Sequence, residues 1–300
     1  MKILITGATG MIGNELVSLL LQNGISINYL TTSRKKITGE PRYQGFYWNP
    51  QEGKIDENCL LDVDVIIHLA GASISKRWTR AYKQEIIESR ILSSNLLYKV
   101  LKNNPHQVRQ LISASAIGIY KDDLTRVYTE DATAVDDSFL GTVVVKWEQS
   151  VDKFRLLNIQ VCKIRTGLVL SKKAGVLAEM LKPIQLGLGA PFGSGEQYQS
   201  WIHVYDLVHL YYYAVISGWE GVYNAVAPQP VTNEALTITI ANQVHKPLFM
   251  PNIPQFLMKL MLGEMHMLLF TSQNVSASKA IEAGYDFKFK TIDAALKDLL

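Results

Sequence analysis

The chain opens on an unbroken apolar run, Lys2-Ile3-Leu4-Ile5-Thr6, with no alternation of polar positions. A strand of this kind is covered on both faces, as in a parallel sheet. From Met11 the spacing becomes helical, with Ile12, Leu16, Leu19 and Leu20 on one stripe. The same alternation continues downstream. Strands are predicted over 25–31, 64–69, 110–114 and 159–164, and helices over 78–101 and 139–156. Strands and helices in alternation imply right-handed crossovers, a parallel sheet and helices on both of its faces. The predicted fold class is therefore α/β, a doubly wound parallel sheet.

The pattern changes after Gly167. Residues 183–200 are rich in Gly and Pro and read as loop, 201–216 as helix and 222–226 as strand. From Thr232 the chain is helical in period, broken at Pro251 and Pro254. The predicted division is a nucleotide-binding domain over 1–230, with a core over 1–165 to which 200–228 returns, and a smaller, mostly helical C-terminal domain over 231–300. The apolar stretch from Phe256 to Phe270 reads as the core of that small lobe. Its other use would be an interface in a homodimer.

Gly7-Ala8-Thr9-Gly10-Met11-Ile12-Gly13 joins the first strand to the first helix. Glycines at this spacing permit the tight turn, the approach of backbone to a pyrophosphate, and close packing of helix on strand. The helix N-terminus then offers N–H groups to phosphate. A purely structural glycine turn is the alternative, but the strand-to-helix context is the one a dinucleotide requires. An acidic residue about 20 positions on would take the ribose 2′-hydroxyl of NAD. The second strand instead leads into Thr32, Ser33, Arg34, Lys35 and Lys36. Arg34 can grip a 2′-phosphate through paired N–H donors, with a hydroxyl from Ser33, so the expected cofactor is NADP(H). The alternative is a solvated basic loop.

Composition excludes other classes. Of the 300 residues 48% are apolar and 19% charged, as in a globular protein rather than a disordered one. A net charge of +3 gives no reason to expect nucleic acid or membrane partners. Cys59 and Cys162 are the only cysteines, and neither stands in a metal-ligand spacing. No metal is expected. Two reduced thiols, no apolar window of about 18 residues and an N-terminus that runs straight into a strand predict a cytoplasmic protein.

The glycine turn, residues 64–72 (DVIIHLAGA) and residues 111–115 (LISAS) together resemble the extended short-chain dehydrogenases/reductases. Several further motifs resemble an atypical subgroup of the NAD-dependent epimerase family, the YfcH-type proteins. They are Arg77-Trp78-Thr79, Glu88-Ser89-Arg90, 113–118 (SASAIG), 165–170 (RTGLVL), 186–191 (LGLGAP), 193–195 (GSG) and 201–206 (WIHVYD). The segments around Ala225, Gly263 and Ala283 resemble that subgroup's small C-terminal domain. The resemblance covers nearly the whole chain. It implies a Rossmann-like sheet and NADP binding, with Leu69, Ala70, Gly71 and Arg90 joining Gly7, Thr9, Gly10, Met11, Ile12, Gly13, Thr32, Ser33 and Arg34 at the cofactor.

Ordinary members of the superfamily use a Ser with a Tyr and a Lys four residues apart on one helix. The Lys lowers the phenol's pKa, and the phenol exchanges a proton with the substrate oxygen. Ser115 stands at the serine position, and the helix offers Lys146 with Thr142 four residues before it. A threonine hydroxyl cannot replace a phenol as acid, so a substitute is required. Tyr120 is a candidate, against a plain packing role. Ser115 would orient a carbonyl, against a hydroxyl that satisfies a strand end. Lys146 would hold the cofactor ribose, against a solvent-facing lysine. On the substrate side, Gln199 stands where the nucleotide-sugar enzymes carry an arginine for the diphosphate. Arg77 and Trp201 are further candidates. His203, close to Asp206, reads as structural. The expected function is an NADP(H)-binding oxidoreductase or epimerase acting on a small carbonyl or hydroxyl compound. The alternative is an NADPH-bound sensor or scaffold without chemistry.

Overall fold

A computed structural model describes all 300 residues. Seven parallel strands form the body of a nine-stranded sheet. Across the sheet they run Tyr43–Asn49, Ser26–Thr31, Lys2–Thr6, Val65–His68, Gln110–Ala116, Gln160–Thr166 and Gly221–Ala225. Two short antiparallel strands, Gly39–Glu40 and Lys54–Ile55, flank the first of these. Strand order reverses between Lys2–Thr6 and Val65–His68. A Rossmann-like sheet opens its ligand crevice at such a point, beyond the carboxyl ends of the strands.

Alternate residues of each strand serve opposite faces, and each face has its own core. Ile3, Ile5, Ile67 and Ile112 point to one side, where the helices Met11–Gln22 and Val204–Ile216 contribute Leu16, Leu20, Leu207 and Tyr211. Leu4, Ile66, Leu111 and Val161 point to the other, against Leu97 and Val100 of Arg80–Asn103 and Trp147 and Val151 of Phe139–Asp152. A third core lies in the small lobe. The helices Val176–Gln185, Asn233–Gln243 and Ile292–Leu299 supply its Leu177, Ile184, Leu236, Ile240 and Leu296.

That third core is not the one expected from the sequence. Phe256, Leu260 and Met261 are 74%, 79% and 62% exposed, and only Met258 of the helix Gln255–Leu262 is buried. The later part of the stretch turns inward instead, where Met265 and Leu268 pack against the cluster of Trp78, Ile86 and Val143. The predicted helix over 201–216 divides into a strand, Trp201–His203, and the helix Val204–Ile216. The strand pairs with Leu168–Leu170, and the Nδ1 of His203 accepts the Tyr205 N–H at 3.0 Å to cap the helix. His203 is therefore a structural residue here, stacked on Phe289. The Gly- and Pro-rich stretch is not all loop: Val176–Gln185 runs into it, and Tyr198–Gln199 pairs with Val231–Thr232. Both cysteines are free and buried, and no helix is long and apolar enough to cross a membrane.

Asp206 fastens the tail to this frame. Asp206 is 1% exposed; its carboxylate accepts the N–H groups of Lys288 and Phe289 at 2.8 and 2.9 Å, and the Tyr285 hydroxyl donates to its backbone carbonyl at 2.9 Å with the carboxylate 3.3 Å away. An amide at this position turns an NH2 toward one of those donors. Asp206→Asn should lower stability by about 1–3 kcal/mol, the usual effect of stranding a buried donor, measured by urea unfolding.

Candidate cofactor groove and active-site cavity

At the carboxyl end of the first strand Gly7 turns with φ +75°, a conformation that favours glycine. A Cβ on Gly7 would come within 3.0 Å of the Leu69 carbonyl carbon, and one on Gly13 would meet the Gly7 oxygen at 2.2 Å. The turn is thus closed to side chains where helix and strand meet. Gly10 caps the helix Met11–Gln22 without a side-chain acceptor, and its first turn holds no acidic residue. Its N–H groups face the crevice uncompensated, which suits a pyrophosphate. Thr9, Met11, Ile12, Leu69 and Ala70 are half-buried around the turn, while Gly10 and Gly71 are exposed. The residues fit a dinucleotide.

Beyond the second strand, Thr32 and Ser33 lead into a short turn, Arg34–Lys36. The Arg34 guanidinium lies 4.0 Å over the Tyr47 ring, and Lys36 Nζ reaches Thr9 at 3.5 Å. This edge of the groove therefore carries two oriented cations, Lys36 being one that the sequence reading did not single out.

Thr6 and His68 set the two strands at the crevice. Thr6 Oγ1 accepts the N–H groups of Leu69 and Ala70, both at 3.1 Å, so its own proton goes to His68 Nδ1 at 2.7 Å. The tautomer follows: His68 carries its proton on Nε2 and donates it to Ser94 Oγ at 3.1 Å, and Ser94 donates to the Arg90 carbonyl. Burial, with the nearby Arg90 charge, pushes the His68 pKa down to about 4. The sequence gives His68 no role beyond its place in the strand over 64–69. Its role needs the register of two strands, which no local pattern shows.

A cavity of about 290 Å³ opens beyond the carboxyl ends of Gln110–Ala116 and Gln160–Thr166. Leu140, Val143, Val144 and Trp147 line it from the helix Phe139–Asp152, and Met267 and Leu268 line it from the C-terminal segment. Gln199 lines it too and is nearly buried, with no hydrogen bond made by its amide. Tyr198, beside it, is the one tyrosine of the wall, and its hydroxyl is unpartnered. Arg90 joins groove to cavity: it packs on Gly71, where a Cβ would stand 3.1 Å from its guanidinium carbon, and it lines the cavity.

Three expected catalytic groups lie elsewhere. Lys146 is exposed, because the helix turns positions 140, 143, 144 and 147 to the cavity and position 146 falls off that stripe. Thr142 is off it as well. The face that would carry a Tyr–Lys pair is apolar. Ser115 is 3% exposed and gives its proton to Glu148 Oε1 at 2.6 Å. Tyr120 is 1% exposed, donating to Asn224 at 2.7 Å and accepting from Arg165 at 3.0 Å. Burial raises the Tyr120 pKa against the pull of Arg165. Arg165 holds Glu148 by two bonds, at 2.9 and 3.0 Å. Burial alone would raise the Glu148 pKa, but Arg165, Lys163 and the Ser115 hydroxyl hold it below the ordinary range. Ser115 and Tyr120 thus belong to one buried polar network. Among the substrate candidates, Gln199 is at the cavity, Arg77 is exposed on a loop, and Trp201 is fully buried with its N–H on the Gln229 carbonyl.

Residues 3–225 match the family model described as the NAD dependent epimerase/dehydratase family, and residues 253–299 match a domain of unknown function. An epimerase family protein of Staphylococcus saprophyticus is 37% identical over 299 residues, 99% of this chain and 98% of that protein. One from Staphylococcus aureus is 35% identical, with 99% and 98% covered. The crystal structure of the human epimerase family protein SDR39U1 with NADPH superposes at a TM-score of 0.86, with 28% identity, over 100% of this chain and 99% of that one.

The His68 site gives a pH dependence. In the unfolded chain His68 titrates near its ordinary value and in the folded chain near 4, so the unfolded state binds more protons between them. The His68 contribution is whole above about pH 6.5 and is lost as pH falls toward 4, up to roughly 3 kcal/mol. Urea unfolding at pH 7 and pH 5 should show this loss in the wild type, and a smaller one in His68→Asn.

Proposed function

Because the chain belongs to the NAD dependent epimerase/dehydratase family, we propose that it is an NADP(H)-dependent oxidoreductase acting on a small, largely apolar carbonyl or hydroxyl compound held in the cavity. The observation that carries this reading is Arg90, which packs against the cofactor loop at Gly71 and also lines the cavity. Groove and cavity therefore share a wall. When bound, the nicotinamide supplies the hydride to a carbonyl carbon or removes it from an alcohol.

The chain's own residues do the rest. Arg34 and Lys36 meet the 2′-phosphate, a charge that NADH lacks. The Gln199 amide orients the substrate oxygen. Tyr198 delivers a proton to that oxygen as the carbon is reduced, in place of the phenol absent from the helix. Leu140, Val144, Met267 and Leu268 exclude water and favour an apolar body.

A second reading has one observation in its favour. The cavity face of Phe139–Asp152 has no titratable side chain, which suits an NADPH-bound sensor that performs no chemistry.

Two measurements separate the readings. Calorimetric titration should show NADPH binding more tightly than NADH. Arg34→Ala should weaken NADPH about tenfold or more, as for loss of a charge-assisted bond, with NADH unchanged. Equal binding of both cofactors refutes the NADP assignment. NADPH oxidation across a panel of small aldehydes and ketones should then show turnover that falls about a hundredfold in Tyr198→Phe while NADPH affinity holds. Bound NADPH with no turnover across the panel supports the sensor.

A further inference from the structure

Two buried nitrogen donors stand side by side on the cavity wall without acceptors. Arg90 gives both of its hydrogen bonds from Nη1, to the carbonyls of Ile86 at 2.9 Å and Ala72 at 3.2 Å. Its Nε is buried and unpartnered. Nη2 makes no hydrogen bond either, so the whole Nε–Nη2 edge is unused. That edge is the one a carboxylate engages with two parallel bonds. The guanidinium carbon lies 4.9 Å over the ring of Trp147, which is 6% exposed and whose Nε1 is also buried and unpartnered. An indole nitrogen can only donate. Both residues line the cavity.

No carboxylate stands within ion-pairing distance of the half-buried Arg90, although the two buried cations of the core each have one: Arg165 has Glu148, and Lys163 has Glu148 and Asp152. Burial lowers the Arg90 pKa to about 10, which leaves it charged at neutral pH. A half-buried cation with no counter-charge and a closed-off, unpartnered Nε, next to a second idle donor, leaves hydrogen-bonding capacity unused on the cavity wall. An anion entering the cavity removes both deficits.

We infer that Arg90 and Trp147 form a carboxylate-binding subsite, and that the molecule recognised in the cavity is a small carboxylate with an apolar body. The carboxylate lies along the Nε–Nη2 edge of Arg90 and takes a third bond from the Trp147 indole. The apolar body lies along Val143, Val144, Leu140 and Leu268, away from the cation. Asp122 and Asp136 line the cavity as well. Asp136 accepts the Ser138 N–H at the start of the helix, two turns or more from Trp147. The two ends of the cavity are therefore opposite in charge, and a carboxylate has one favoured orientation. This subsite names the substrate class for the oxidoreductase reading and rests on it. An anionic group of the cofactor itself is the other source of the same chemistry, since Arg90 also touches Gly71.

Calorimetry with hexanoate and phenylacetate, each against its own amide, on NADP+-loaded protein tests the subsite. The carboxylates should bind at least about tenfold more tightly than the amides, the discrimination expected of a charge-assisted pair. Trp147→Phe, which keeps the ring and removes the N–H, should weaken the carboxylates by about tenfold and leave the amides unchanged. Arg90→Lys keeps the charge without the fork and should lose most of the preference for carboxylate over amide. No preference for carboxylate over amide in the wild type overturns the inference. So does an Arg90→Lys protein that loses NADPH binding and keeps the carboxylate preference, which would place the guanidinium on the cofactor. If NADP+ does not bind at all, the oxidoreductase reading fails by itself, and the same titrations on the cofactor-free protein decide the subsite.

Discussion

The hydroxyl of Thr6 holds together the point on which the molecule turns. It accepts two backbone N–H groups from the neighbouring strand's end and gives its proton to a fully buried histidine. Those bonds fix Leu69 and Ala70 beside Gly7, in the place where strand order reverses and the crevice opens. The relay continues through His68 and Ser94 to the backbone of Arg90. The floor of the groove and the residue that divides groove from cavity are therefore parts of one hydrogen-bonded unit. It works only while the imidazole is neutral, because a protonated ring could not accept the Thr6 proton.

A second buried network lies beyond the cavity and determines what chemistry is available. Glu148 accepts from Ser115 and from both ends of the Arg165 fork, and Arg165 in turn reaches Tyr120. Such a group is stable only when every member is satisfied. Its members join the strands Gln110–Ala116 and Gln160–Thr166 to the helix Phe139–Asp152. A hydroxyl committed in this way stiffens the scaffold. Tyr198 and Gln199, on a short strand that pairs with Val231–Thr232, bring polar side chains to the cavity instead.

Much of the sheet is legible in the sequence, because strands buried on both faces read as unbroken apolar runs, and Lys2–Thr6 and Val65–His68 are of that kind. The glycine turn is legible too, since the steric demands of Gly7 and Gly13 are local. The strand Tyr43–Asn49 escaped, as its polar positions interrupt the run at the sheet's edge. Trp201–His203 read as helix because its apolar residues join those of the helix that follows. At the site, Lys146 and Thr142 reproduce the spacing of an expected pair, yet spacing does not say which stripe of a helix faces inward. That is set by the packing of Trp147 and Val143, one step away in register. Ser115 and Tyr120 were visible as hydroxyls, but their partners Glu148, Arg165 and Asn224 lie 33, 45 and 104 residues distant and leave no local trace.

The cavity roof has a consequence for the order in which the protein becomes competent during synthesis. Every side chain at the cofactor groove lies within the first 90 residues, whereas Met267, Leu268 and Gln273 close the cavity from near the other end of the chain. At about 5–20 residues per second, a ribosome takes roughly 10–35 s to pass from one to the other. Over that interval a nascent chain holds the residues for the dinucleotide but no enclosed place for a second molecule. The apolar wall formed by Leu140, Val143 and Val144 is then open to water, and is covered only once the C-terminal segment reaches it.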